Sequence, residues 1–145
     1  VVGLLLTALA AVGGETALVV GAATGYSAAV LTEMGIATDA VESSPSLAAT
    51  ARKNGVQIVE GPLESGHPKG GSYDMVLIDG AVEIIPDALV EQPKDGGRLG
   101  GAIIDKGITR LIVGRKAGNG FGYLTIADAA TPALPGFQRP HAFSF

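Results

Sequence analysis

The stretch 17–31, ALVVGAATGYSAAVL, constrains the fold more than any other part of the chain. An apolar run ends at Gly21, a second glycine follows at Gly25, and apolar residues at helical spacing start at once. This order predicts a strand, a tight glycine turn and a helix. Glycine has no side chain to collide with a ligand, and the first helical turn presents unpaired N–H groups, so the backbone of Gly21, Ala22, Ala23 and Gly25 suits close approach to a nucleotide-like cofactor. Glu42 closes the next apolar run, 37–41, and lies 21 residues beyond Gly21. That is near the ~20-residue offset at which an acidic side chain reaches ribose hydroxyls, and Ser43 follows it directly.

At 145 residues, 47% of them hydrophobic, the chain fits a single domain, 1–145, with a sizeable core. A net charge of −4 and the lack of any Lys/Arg run argue against a nucleic-acid partner. Without cysteine there is no disulfide framework or thiolate nucleophile, and two histidines far apart in sequence, His67 and His141, give no basis for a metal site. The opening VVGLLLTALAAVGG is apolar for about a dozen residues, short of the ~20 a spanning helix needs, and has no basic leader. It predicts a buried leading helix over 1–14 rather than an anchor or signal. The expected setting is the cytoplasm, with no membrane partner.

Further along, Tyr26 to Met34 reads as a helix stopped by Gly35, and a second strand runs to Glu42. Ser44 caps the next helix with Pro45 in its first turn; Leu47, Ala48 and Ala51 form its apolar stripe, and Asn54-Gly55 ends it. Gln57 to Glu60 is a short third strand, and the Gly-, Pro- and Ser-rich loop 61–72 is expected to lack regular structure. Asp74 to Asp79 is a fourth strand, apolar enough to be buried on both faces, with Val76, Leu77 and Ile78 in the core alongside Leu47. A helix is expected over Pro86 to Glu91, and a fifth strand from near Arg98 after the turn Asp95-Gly96-Gly97. The segments 111–116 and 123–128 flank a glycine-rich turn and predict a hairpin. The proline-rich end, 130–145, predicts an extended strap over the sheet and a contact for a homodimer.

Alternating strands and helices imply a parallel sheet with helices on both faces, an α/β, Rossmann-like fold with a terminal antiparallel hairpin. Ligands of such sheets sit beyond the carboxyl ends of the strands. Gly21, Glu42, Glu60 and Asp79 are all placed there. A dinucleotide would ask for G-x-G-x-x-G, whose middle glycine is missing from Gly21-Ala22-Ala23-Thr24-Gly25, and no Gly-Lys-Ser/Thr follows the strand as a Walker loop requires. A cofactor with an adenosine but no phosphates needs only the glycine turn and the ribose carboxylate. S-adenosylmethionine fits.

The stretches GAATGYSAAVL (21–31) and YDMVLIDGAVEIIPDALVEQPKDGGRL (73–99) resemble the class I S-adenosylmethionine-dependent methyltransferases, and within them the protein-L-isoaspartate O-methyltransferase family. Its members carry a similar G-x-G-Y turn, a V-P-E-A-L helix after a strand, and a K-x-G-G-R-L approach to the fifth strand. The resemblance covers nearly the whole chain and implies a seven-strand sheet with the last strand antiparallel. It also implies methyl transfer to the free α-carboxylate of isoaspartyl residues in damaged proteins or peptides. Family members have an N-terminal segment with a serine- and threonine-containing acceptor-site motif, and the resemblance starts after it, so the chain is expected to be an N-terminally truncated member. Pro93 stands where such helices commonly carry leucine, and Asp79-Gly80 stands where small uncharged residues often follow the fourth strand.

The chemistry asks for few residues. A sulfonium methyl is already activated and a carboxylate is ionised at neutral pH, so transfer needs alignment more than a general base; no catalytic residue is singled out. Glu42 is assigned to the ribose. Glu60, Gly61, Pro62 and Leu63 border the adenine side, although a loop glutamate such as Glu60 is equally an exposed charge. Asp79 faces either the methionine amino group or the acceptor, or merely caps a loop. Tyr26 closes over the methionine part or simply packs. His67 is expected to be exposed, and His141 is similar. The competing readings are a non-enzymatic binding or structural module on the same fold, and a nicotinamide-dependent oxidoreductase, which the missing glycine disfavours.

Overall fold

The computed structural model describes residues 2–118 and 120–138. Seven strands form one sheet in the order β3-β2-β1-β4-β5-β6-β7. They are β1 Thr16–Val20, β2 Ala37–Glu42, β3 Ile58–Glu60, β4 Tyr73–Val82, β5 Pro93–Asp105, β6 Ile108–Ala117 and β7 Gly120–Asp128. The helices are α1 Val2–Ala8, α2 Tyr26–Glu33, α3 Pro45–Lys53 and α4 Asp87–Val90. The pairs β1/β2, β1/β4, β2/β3 and β4/β5 are parallel, whereas β5/β6 and β6/β7 are antiparallel. The strand that runs against the others is therefore β6, and not the last strand as the family resemblance implies. A tight turn at Lys106-Gly107 (φ +51° and +78°) returns the chain without a crossover helix.

Alternating residues of the central strands serve two cores. Val19, Met75 and Leu77 pack on one face with Leu5, Leu6 and Leu9 of the opening segment and Leu31 of α2. Leu18, Val20, Val76 and Ile78 pack on the other with Leu63, Leu89 and Phe137. The opening helix is shorter than 1–14 because Ala10 turns out of the helix at φ +53°. Its end is fixed to β5: Arg98 Nε donates to the Leu9 carbonyl at 3.0 Å, and Arg98 Nη1 pairs with Glu15 at 2.6 Å.

Three further elements differ from the sequence expectation. The loop after β3 contains two short 3₁₀ turns, Leu63–Ser65 and Pro68–Gly70, with Leu63 buried. β5 starts at Pro93, paired with Tyr73, and the register then advances to Arg98 on β5 against Met75 on β4, so residues 94–97 are an irregular excursion within the strand. β4 continues past Asp79 to Val82, and between Leu77 and Ala81 it carries two more residues than the facing part of β5, Gly100 to Ala102. That bulge has direct consequences for the site. Residues 139–145, including His141 and the far end of the expected strap, lie outside the described residues.

Candidate functional site

Strand order reverses between β1 and β4, and the glycine turn sits in the crevice beyond their carboxyl ends. Gly21, Ala23 and Gly25 all have positive φ, at +84°, +50° and +95°. Ala23 pays no such conformation lightly as a non-glycine residue, and Glu42 supplies the restraint. Glu42 is 5% exposed; its Oε1 accepts the Ala23 N–H at 2.7 Å and its Oε2 accepts the Ser44 N–H at 2.9 Å. Two backbone donors orient the carboxylate, and each oxygen keeps a second lone pair for a ligand hydroxyl.

Asp79 rides on the β4 bulge, a feature that re-aims side chains next to binding sites. Its Oδ2 accepts a short hydrogen bond from the Ser27 hydroxyl, which is buried in the first turn of α2. The glycine turn and the fourth strand are thus linked through side chains 52 positions apart.

A cleft of about 390 Å³ lies between these groups, within the size range of small-molecule sites. Of the residues expected at the site, Gly21, Ala23, Glu42, Ser43, Leu63 and Asp79 line it. The others do not. Ala22 is buried in the core, Tyr26 points outward at 71% exposure, and Gly61 and Pro62 lie beside the cleft, with the Gly61 N–H donating to the Glu42 carbonyl at 3.2 Å. A Cβ on Gly25 would come within 2.8 Å of Val56 Cγ2, so this glycine allows α2 to start against the end of α3. Glu60 turns to Arg52 in a half-exposed ion pair at 2.7 Å. His67 is half-buried rather than exposed, its N–H held by the Gln92 side chain. Leu47 is not core: it is 36% exposed and lines the cleft.

The fourth wall comes from the strap. Thr131, Pro132, Leu134 and Pro135 line the cleft. The Ala81 N–H donates to the Pro132 carbonyl at 2.9 Å, and the Leu134 N–H donates to the Ala81 carbonyl at 2.8 Å. Phe137, 1% exposed, anchors the segment in the core. The prolines signalled an extended chain, but nothing in the sequence said that it pairs alongside β4, in parallel, at Ala81.

A second hollow of about 370 Å³ lies at the amino ends of the strands, lined by Thr16, Thr38, Asp39 and Tyr73 among others. It contains none of the expected site residues. Among the described residues no group of three or more His, Asp or Glu side chains is placed to hold a metal, and no helix is long and apolar enough to cross a membrane.

The profile of the protein-L-isoaspartate(D-aspartate) O-methyltransferase family matches residues 1–128. The chain belongs to this family. Among similar family members, the protein-L-isoaspartate O-methyltransferase of Methylorubrum populi is 38% identical over 105 residues, covering 68% of this chain and 50% of the relative. That of Halorhodospira halophila is 32% identical over 130 residues, covering 84% of this chain and 59% of the relative. The chain spans about half the length of the curated relatives it matches. A solved protein-L-isoaspartate O-methyltransferase superposes with a TM-score of 0.87 at 22% identity, covering 93% of this chain and 46% of that one. A Plasmodium falciparum structure described under the same activity, in complex with S-adenosyl-L-homocysteine, gives 0.81 at 16% identity over 92% of this chain and 72% of that one. The isoaspartate methyltransferase fold thus extends through the β5–β7 region, where the crossover helix is missing.

Proposed function

We propose that the cleft binds S-adenosylmethionine and that the chain transfers its methyl group to the carboxylate of isoaspartyl residues in proteins or peptides of the cytoplasm. The observation that carries this reading is Glu42: a buried carboxylate at the end of β2, oriented by Ala23 and Ser44, with lone pairs left for a vicinal diol. The donor set suits the cofactor. Gly21 and Ala23 supply close backbone, Leu63 and Leu47 supply apolar surface toward the adenine, and Asp79 supplies a carboxylate for the ammonium of the methionine part.

The cofactor, when bound, supplies an already activated sulfonium methyl. The chain's own residues align it. Glu42 fixes the ribose, and Asp79, held by Ser27, fixes the opposite end. The strap at Pro132 and Leu134 walls one side of the cleft. An acceptor carboxylate is ionised at neutral pH and needs no base, and among the described residues that line the cleft there is no histidine.

Thermal melting with and without S-adenosylhomocysteine tests the cofactor reading. At a hundred times its dissociation constant the ligand adds about 2.7 kcal/mol, a rise of roughly 5–10 °C for a chain of this size. The rise should vanish in Glu42→Ala; no rise in the unmutated chain overturns the assignment. Labelled methyl transfer to an isoaspartyl peptide, but not to its aspartyl counterpart, tests the acceptor.

A further inference from the structure

The glycine turn has a second support, on the side away from the cleft. Asn54 Nδ2 donates to the carbonyl of Thr24 at 3.0 Å. Asn54 ends α3, its own N–H shared between the Thr50 and Ala51 carbonyls at 3.1 and 3.0 Å. Beside it, Ala51 and Val56 fill the space against Gly25. Glu42 therefore holds the turn through the Ala23 N–H and Asn54 holds it through the next carbonyl.

Asn54 is followed by Gly55, and both asparagines of the chain, Asn54 and Asn119, precede glycine. Asn54 and Gly55 are exposed, and no heavy atom lies within 4 Å of the position a Cβ on Gly55 would take. An unhindered glycine nitrogen after asparagine is set up for deamidation. The Gly55 nitrogen, giving up its proton to the solvent, attacks the Asn54 side-chain carbonyl carbon; a C–N bond forms as the Cγ–Nδ2 bond breaks, and the amide nitrogen takes up a proton and leaves as ammonia. Water then opens the succinimide to an aspartyl or isoaspartyl linkage. Two native contacts oppose the first step: the Gly55 N–H is held by the Arg52 carbonyl at 3.0 Å, and Asn54 Nδ2 is held by Thr24. The reaction proceeds when the end of α3 and the glycine turn separate.

We infer that Asn54 is a positioning residue for the cofactor turn and, with Gly55, a deamidation site whose conversion weakens cofactor binding. The product places a carboxylate against the Thr24 carbonyl, replacing a hydrogen bond by repulsion. The inference rests on the cofactor reading above. It also implies that an occupied cleft, by fixing the turn, slows the conversion of Asn54.

The test ages the protein in mildly alkaline buffer with and without S-adenosylhomocysteine, maps peptides for a gain of about 1 Da, and titrates S-adenosylhomocysteine calorimetrically into fresh, aged, Asn54→Asp and Asn54→Gln protein. The expected result is a mass gain at the Asn54 peptide that the ligand slows, and roughly five-fold weaker binding by Asn54→Asp, the worth of one hydrogen bond. Asn54→Gln keeps an amide donor that cyclises far more slowly, and should hold its affinity through ageing. Aged protein without a gain at Asn54, or Asn54→Asp binding as tightly as the unmutated chain, overturns the inference while leaving the cofactor reading intact. Failure of fresh, unmutated protein to bind overturns both.

Discussion

Leu134 lies directly over Gly21: a Cβ built on the glycine would stand 3.0 Å from Leu134 Cδ1 and 3.1 Å from Cδ2. A residue of the strap thus fills the concavity that the first glycine of the turn leaves open. Gly21→Ala meets both this contact and a φ of +84°. Strain of about 1–2 kcal/mol from the left-handed backbone and a comparable overpacking term are expected to lower stability by about 2–4 kcal/mol, read by urea unfolding.

Leu134→Ala removes the wall instead of crowding it. The side chain is half-buried, so the expected stability loss is about 1–2 kcal/mol, below the ~2–5 kcal/mol of a fully buried leucine. Stopped-flow measurement should show S-adenosylhomocysteine leaving several-fold faster. An unchanged off-rate would remove the strap from the proposed cofactor site.

Gly25→Ala tests the packing of the glycine turn against the end of α3. Its Cβ would press on Val56 Cγ2 at 2.8 Å, away from the cleft. The expected outcome is a lower melting temperature, with about 2–4 kcal/mol lost, read by thermal denaturation of the unliganded protein.

The Glu15–Arg98 pair makes stability depend on acid. Arg98 donates to both carboxylate oxygens, at 2.6 and 2.9 Å, and this hydrogen bonding holds the Glu15 carboxyl below its ordinary value of 4.5. A depressed folded pKa stabilises fully above the ordinary value and is lost as pH falls through the folded one. Glu15→Gln should cost about 1–3 kcal/mol at neutral pH and flatten the stability profile below pH 4.5.

Tyr73 acts at the other end of the scale. Burial, and then the hydrogen bond from its hydroxyl to Asp39 Oδ2 at 2.8 Å, push its pKa upward. A raised folded pKa means that the contribution is complete below the unfolded value, about 10, and declines as pH rises toward the folded one. Tyr73→Phe should cost about 1 kcal/mol at neutral pH and remove part of the alkaline loss, measured by denaturant midpoints across pH.

Local chemistry determined much of this protein before any contact formed. The glycine turn, the Ser44 cap with Pro45, the stops at Gly35 and Asn54-Gly55, and the apolar strands follow from backbone sterics and hydrophobic period, which act over a few residues; the offset of Glu42 from Gly21 follows from the length of a strand-turn-helix unit. What decided the rest acts between residues far apart in sequence. The β4 bulge that presents Asp79 depends on the register with β5, Leu47 turns from core to cleft because no element covers it, and Asn54 reaches Thr24 only once α3 packs beside α2. The strap lines the site because β1 ends at Val20 opposite Ile78, which leaves the N–H and carbonyl of Ala81 open on that edge of β4. Backbone groups are the same at every position, so the sequence does not mark which of them will pair; only the assembled sheet does.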